Sequence, residues 1–113
     1  LGGEYEFNYI PNCPPTVNDP SLTELVQSVA VDVLGPHNVQ PMLHPSLGTE
    51  DFSYFSEQVP GAYFQLGTKN VARGITHPLH SPKFDIDETI LPLGAALLAG
   101  IAREFLLGRR RDT

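Results

Sequence analysis

Eleven prolines in a chain of 113 residues decide what it can fold into. Proline cannot donate to a β-ladder and is confined to the first turn of a helix. The chain is therefore cut into short elements, and each break must be a turn, a helix start or a seam between units. The length suits about one domain of ordinary size. About 29% of the residues are Leu, Ile, Val or Phe, above the ~20% below which highly charged chains stay disordered. The chain should fold, and at this size it can bury roughly 60–70% of its extended surface.

Net charge is −6, with 7 basic and 13 acidic side chains. Phosphate binding wants a basic face, so this balance argues against nucleic-acid and anionic-membrane partners. The one basic cluster, Arg109 to Arg111, reads as a solvated tail after a helix. A single cysteine, Cys13, rules out an intrachain disulfide and a cysteine-based zinc cage. It reads as an incidental thiol and suits a reducing, cytoplasmic compartment. The start, Leu1-Gly2-Gly3-Glu4, lacks the basic and apolar regions of a signal peptide. The apolar stretch Leu91 to Leu107 is interrupted by Gly94, Gly100, Arg103 and Glu104, and reads as too short and too charged for a membrane span.

Glu4 to Ile10 alternates, with Tyr5, Phe7 and Tyr9 on one side, the period of a half-buried strand. Pro11, Pro14 and Pro15 end it, and residues 11–18 read as a stiff connector where a domain boundary could fall. Asp19-Pro20 is a helix start, and Leu22, Leu25, Val26, Val29 and Val33 form its apolar face. Gly35-Pro36 is the stop. Asn38 to Leu43 reads as a strand, Glu50 to Gln58 as a short helix capped by Thr49, and Ala62 to Leu66 as a strand. A long polar connection, Thr68 to Ser81, follows; such loops tend to be functional. The last element is a helix from about Asp87 to Leu107. Asp85 with Glu88, or Asp87 alone, would cap it, and Pro92 would delay or kink its start. Two adjacent apolar stripes predict burial on more than one side. The alternation of strands and helices predicts an α/β layered fold with a largely parallel sheet.

Two loops concentrate polar chemistry: Gly48-Thr49-Glu50-Asp51-Phe52 and His77-Pro78-Leu79-His80-Ser81-Pro82. Both follow predicted strands and precede predicted helices, where open α/β sheets bind ligands. Glu50 and Asp51 at a helix start would stabilise its dipole, or alternatively aim a carboxylate at a metal, a metal ligand or a substrate. As adjacent helical residues they do not face each other, so they are unconvincing as a glycosidase-like pair. His80 is either an ordinary loop histidine or a metal ligand. A His77–His80 chelate would need a helical turn that Pro78 disfavours. His37 and His44 adjoin prolines and read as loop residues. Zinc needs three or four ligands, and the chain on its own offers too few.

Three segments, Pro45 to Phe55, Val59 to Gly67 and Leu79 to Glu88, resemble in order the C-terminal part of a metallo-amidohydrolase family. Its members are hippurate hydrolases, aminoacylases and auxin–amino-acid conjugate hydrolases. Pro14 to Asp19 is similar to that family's re-entry from its inserted domain. The resemblance implies a partial zinc-peptidase-like layered sheet with helices, over residues 16–113. It implies that residues 1–15 are the last strand of a dimerising lid domain and a connector. It implies two divalent metals, zinc or manganese, and a general base that lies outside this chain, so that no catalytic residue is expected here. Carried over by position, His80 would be a metal ligand, and Gly48, Thr49, Glu50 and Asp51 would line the substrate cleft. The expected substrate is an N-acyl amino acid or small peptide, and the expected parent is a homodimer. A fragment of this kind should be inactive alone, bind no metal pair tightly and self-associate. The competing expectations are a non-catalytic structural or interaction domain on the same fold, and a metal-free enzyme using Glu50, Asp51 and His80.

Overall fold

Three α-helices and three single 3-10 turns make up the regular structure of the computed structural model, which describes residues 2–108. The Arg109–Arg111 cluster lies outside the described residues. Helix α1, Pro20–Leu34, forms where the sequence places it. Asp19 accepts from the Leu22 N–H at 2.9 Å and Pro20 takes the first position. Both satisfy or remove an orphan donor of the first turn. At the other end Gly35 adopts φ 83° and its N–H returns to the Val31 carbonyl at 2.9 Å. The Asn38 side chain donates to the Leu34 carbonyl at 2.7 Å. Helix α2, Phe52–Ser56, is shorter than expected. Its first turn is supported by Glu50, whose Oε1 accepts from Phe52 N–H at 3.3 Å, rather than by Thr49.

Helix α3, Leu91–Leu106, settles the problem of Pro92. A 3-10 turn, Glu88–Ile90, comes first and is capped by Asp87. Proline then falls in the first α-turn, where its missing N–H costs nothing. Together these make a 19-residue helical run, Glu88–Leu106, long and apolar enough by length and composition to cross a membrane. The expectation of a run too short and too charged is corrected to that extent.

The core lies where α1 crosses α3. Leu97 is 2% exposed, and Val29 and Ala30 are buried with it. Gly94, Leu97 and Gly100 are three residues apart and share one face of α3. A Cβ added at Gly100 would stand 2.9 Å from Val29 Cγ1, and one at Gly94 would stand 3.0 Å from Leu66 Cδ2. The two glycines thus let α3 settle between α1 and the extended segment that contains Leu66. The other stripe of α3 is not covered: Leu91, Leu98, Phe105 and Leu106 are exposed. Burial on several sides, as the composition of this helix suggests, is not found among the described residues.

The layered sheet is not formed either. Among the described residues there is no β-strand, and the one isolated bridge pairs Asn70 with Ile75. The expected strands at 4–10, 38–43 and 62–66 have no ladder partners. Strand character survives in the side chains. From Ala62 to Asn70 half-buried and exposed residues alternate strictly, the period of a pleated strand with one face on a helix layer. Phe7 and Tyr9 stack at 6.4 Å between ring centroids, as two residues on the same side of an extended backbone do. A strand owes its hydrogen bonds to a neighbour, so an extended segment without one keeps its pattern and loses its ladder. The radius of gyration, 18.3 Å, agrees: a compact domain of about 100 residues has roughly 13 Å.

Candidate functional site

The loop before α2 is fixed by side chains rather than by a strand. Gly48 N–H donates to Ser46 Oγ at 3.1 Å. Glu50 is half-buried, and its Oε2 accepts from the Tyr63 hydroxyl at 2.9 Å. Tyr63 is itself held by Asn18, whose amide donates to the Tyr63 carbonyl and accepts from its N–H, both at 2.8 Å. The amide side chain thereby does for Tyr63 what a neighbouring strand would do. Next to it Asp19 N–H donates to the Gly61 carbonyl at 2.8 Å. The Tyr63 ring also packs on Phe52 at 5.5 Å, and Phe52 lies so close to Gly61 that a Cβ there would meet its Cζ at 3.0 Å. Hydrogen bonding to Glu50 pushes the Tyr63 phenol above its usual pKa, with burial and the carboxylate charge adding to it. Tyr63 is therefore a fixed donor to Glu50 and not a titrating acid near neutral pH.

Asp51 is exposed and sits beside Cys13, whose thiol donates to Asp51 Oδ1 at 3.5 Å. Hydrogen bonding with Cys13, and its charge, raise the pKa of the neighbouring Tyr54 phenol, with smaller contributions from burial, Asp51 and Glu57. The connector and the loop before α2 are thus in contact, which neither the prolines nor the spacing foretold.

His80 is exposed and lies in a loop from Thr76 to Ile86. Its φ of 66° makes it the one non-glycine residue with positive φ among the described residues. A left-handed residue other than glycine costs about 1–3 kcal/mol and persists where surrounding structure holds it. The loop is built of two successive turns: Ser81 N–H to the Pro78 carbonyl at 3.2 Å and Phe84 N–H to the Ser81 carbonyl at 3.0 Å. Ser81 Oγ also accepts from Lys83 N–H at 3.1 Å. Beside it is a cavity of about 350 Å³ lined by residues including Ile75, His77, Leu79 and Phe84. His77 therefore belongs to the wall of this cavity.

The neck of the loop is closed by a buried carboxylate. Asp87 is 7% exposed. It accepts from the Asn70 amide on Oδ2. On Oδ1 it accepts from Arg73 at 2.7 Å, from the Thr89 hydroxyl at 2.8 Å and from Thr89 N–H at 3.2 Å. The bonds from Asn70 and then Thr89 hold its pKa down at about 2; the Arg73 charge adds a smaller share, and burial opposes them. The sequence marks Asp87 only as a possible cap. Its partners Asn70 and Arg73 lie 17 and 14 residues away and carry no local signal.

The two loops stand apart. Among the described residues no hydrogen bond links Gly48–Asp51 with His80, and no group of three or more His, Cys, Asp or Glu gathers that could hold a metal ion. One exposed imidazole does not make up the donor set that a divalent metal requires. The described residues therefore do not fit a metal pair by themselves.

Comparison with known proteins supplies the context for these loops. The model of peptidase family M20/M25/M40 matches residues 3–104. IAA-amino acid hydrolase ILR1-like 4 of Arabidopsis thaliana is 40% identical over 103 residues, 91% of this chain and 23% of that protein. IAA-amino acid hydrolase ILR1-like 6 of the same plant is 38% identical over 93 residues, 82% of this chain and 20% of that protein. Thermostable carboxypeptidase 1 of Saccharolobus solfataricus is 41% identical over 92 residues, 81% of this chain and 22% of that protein. No solved structure matches significantly. The chain spans less than a quarter of the length of these relatives. With nearly its whole length matched, the chain belongs to peptidase family M20/M25/M40.

Proposed function

We propose that this chain is the C-terminal segment of a metal-dependent hydrolase that cleaves the amide bond of N-acyl amino acids or small peptides. The observation that carries the reading is His80, an exposed imidazole at positive φ in a loop whose neck is closed by a buried carboxylate. Strain of that kind collects at functional positions. The reaction class follows from the relatives, which are named as an amino-acid hydrolase and a carboxypeptidase.

Within such an enzyme the role of this chain is to bind and to orient. His80 would offer one ring nitrogen to a metal whose other ligands come from outside these residues. Gly48, Thr49, Glu50 and Asp51 line the substrate cleft, with Glu50 kept in place by Tyr63. Residues 1–15 are the last strand and connector of a lid domain, and residues 16–113 belong to the catalytic domain. The extended segment at 62–70 gains its sheet partners there, and the uncovered stripe of α3 gains its cover. Alone, the chain is inactive and self-associates through those surfaces.

In the complete hydrolase, His80→Ala should abolish amide hydrolysis while the circular dichroism and melting temperature stay unchanged. Full activity of that variant would overturn the assignment. The 113-residue chain by itself should show no amidase activity and no stoichiometric metal; tight uptake of two zinc or manganese ions would refute its dependence on outside ligands.

A further inference from the structure

We propose that Asn70, Arg73 and Asp87 form a clasp that positions the His80 loop, beyond capping α3. The inference rests on the reading of His80 as a functional residue. Three connections close the loop at its neck. Asn70 and Ile75 exchange backbone hydrogen bonds at 3.0 and 2.9 Å on the incoming side. Asp87 N–H donates to the Thr68 carbonyl at 3.0 Å on the outgoing side. Across the gap, Asn70 and Arg73 both reach Asp87. Asn70 does two jobs with one amide, since its Oδ1 also accepts from Arg73 N–H at 3.2 Å and caps the turn Val71–Arg73. A compact loop whose ends are pinned together in this way holds its tip without strands of its own.

A cap alone does not account for this arrangement. Capping needs one acceptor facing Thr89, and Asp87 Oδ1 supplies it. Oδ2 is committed to Asn70, on the other side of the loop. The polarity of that contact is testable because it can be reversed. Asn70→Asp sets two carboxylates face to face. Asp87→Asn keeps an acceptor for Thr89 and sets two amide N–H groups face to face. Combining Asn70→Asp with Asp87→Asn restores a donor opposite an acceptor, while the carboxylate introduced at position 70 can still accept from Arg73 N–H.

Hydrogen exchange of the full chain reads the result. In each single variant the Ser81 and Phe84 amides, which close the two turns of the loop, should exchange about tenfold faster, and in the double variant they should return to near the original rate. The amides of α1 should be unaffected throughout. Unchanged exchange in the single variants, failure of the double variant to restore it, or equal acceleration in α1 would each overturn the clasp. In the complete hydrolase the single variants should lower kcat more than they raise KM, and the double variant should recover it. A His80→Ala enzyme with full activity sinks the hydrolase reading and leaves the exchange result standing. Unchanged exchange sinks the clasp and leaves the hydrolase reading standing.

Discussion

The seam between α1 and α3 and the clasp at the neck of the His80 loop hold this chain together in opposite ways. The seam is apolar and close, built on Val29 of α1 with Leu97 and Gly100 of α3. The clasp is polar, with one carboxylate serving Asn70, Arg73 and Thr89. Apolar burial is non-directional and tolerates small shifts, so it suits the joining of helices. Hydrogen bonds to a charged group are directional and short, so they suit the placing of a loop. The difference teaches that the fold and the candidate site are stabilised separately, and that substitutions can separate them.

The largest expected effect strikes the seam. Leu97 is 2% exposed and the core around it is small. Leu97→Ala should lower unfolding free energy by about 2–5 kcal/mol, measured by urea denaturation. A loss below that range would mean that the seam collapses around the gap or that little of the stability resides there. Gly100→Ala comes next. Alanine gains up to about 1 kcal/mol in helix propensity over glycine. Its Cβ would however stand 2.9 Å from Val29 Cγ1, and a β-branched residue in a helix has one strongly preferred rotamer. Overpacking costs about 1–3 kcal/mol, so Gly100→Ala should destabilise, and adding Val29→Ala should recover part of the loss. A stabilising Gly100→Ala would show that the helices separate easily.

The same contrast explains what was legible in the sequence. Helix α1 could be read to its boundaries, because Asp19, Pro20 and Gly35 act within four residues of where they sit. Apolar spacing picked out Val29 on α1 and Leu97 on α3, whereas Val33, Leu93 and Phe105 of the same stripes are exposed. Sheet formation could not be read from this chain: alternation at 62–70 records which residues face the helices, whereas a ladder depends on a neighbour that the segment lacks. The alternation of Tyr5, Phe7 and Tyr9 is likewise real and unpartnered. Within the site, Glu50 and His80 stood out as residue types in loops. Tyr63, Asn18, Asn70 and Arg73 did not, because each acts through a side chain that crosses long sequence separations. The exposed stripe of α3 looked buried because composition shows which surface wants cover and not whether cover is present.

The smallest effect belongs to the clasp and appears with pH. Asp87 has its pKa lowered from 3.8 to about 2 in the folded chain. A carboxyl depressed on folding contributes stability above its unfolded pKa and loses that contribution as pH falls through its folded one. Between about pH 4 and pH 2 the unfolded chain binds a proton at this position before the folded chain does, so stability declines there. The bonds from Asn70 and Thr89 carry most of the effect, and the Arg73 side chain, 55% exposed, adds little because water screens its charge. Asp87→Asn has no proton to take up, and its unfolding midpoint should fall less steeply over the same interval than that of the unsubstituted chain. The protection of the Ser81 and Phe84 amides, taken relative to their intrinsic exchange rates, should be lost with acid ahead of that of α1, since Asp87 protonated on Oδ2 donates where it must accept from Asn70. Parallel acid profiles for the two chains, with loop and α1 amides released together, would show that seam and clasp form one unit rather than two.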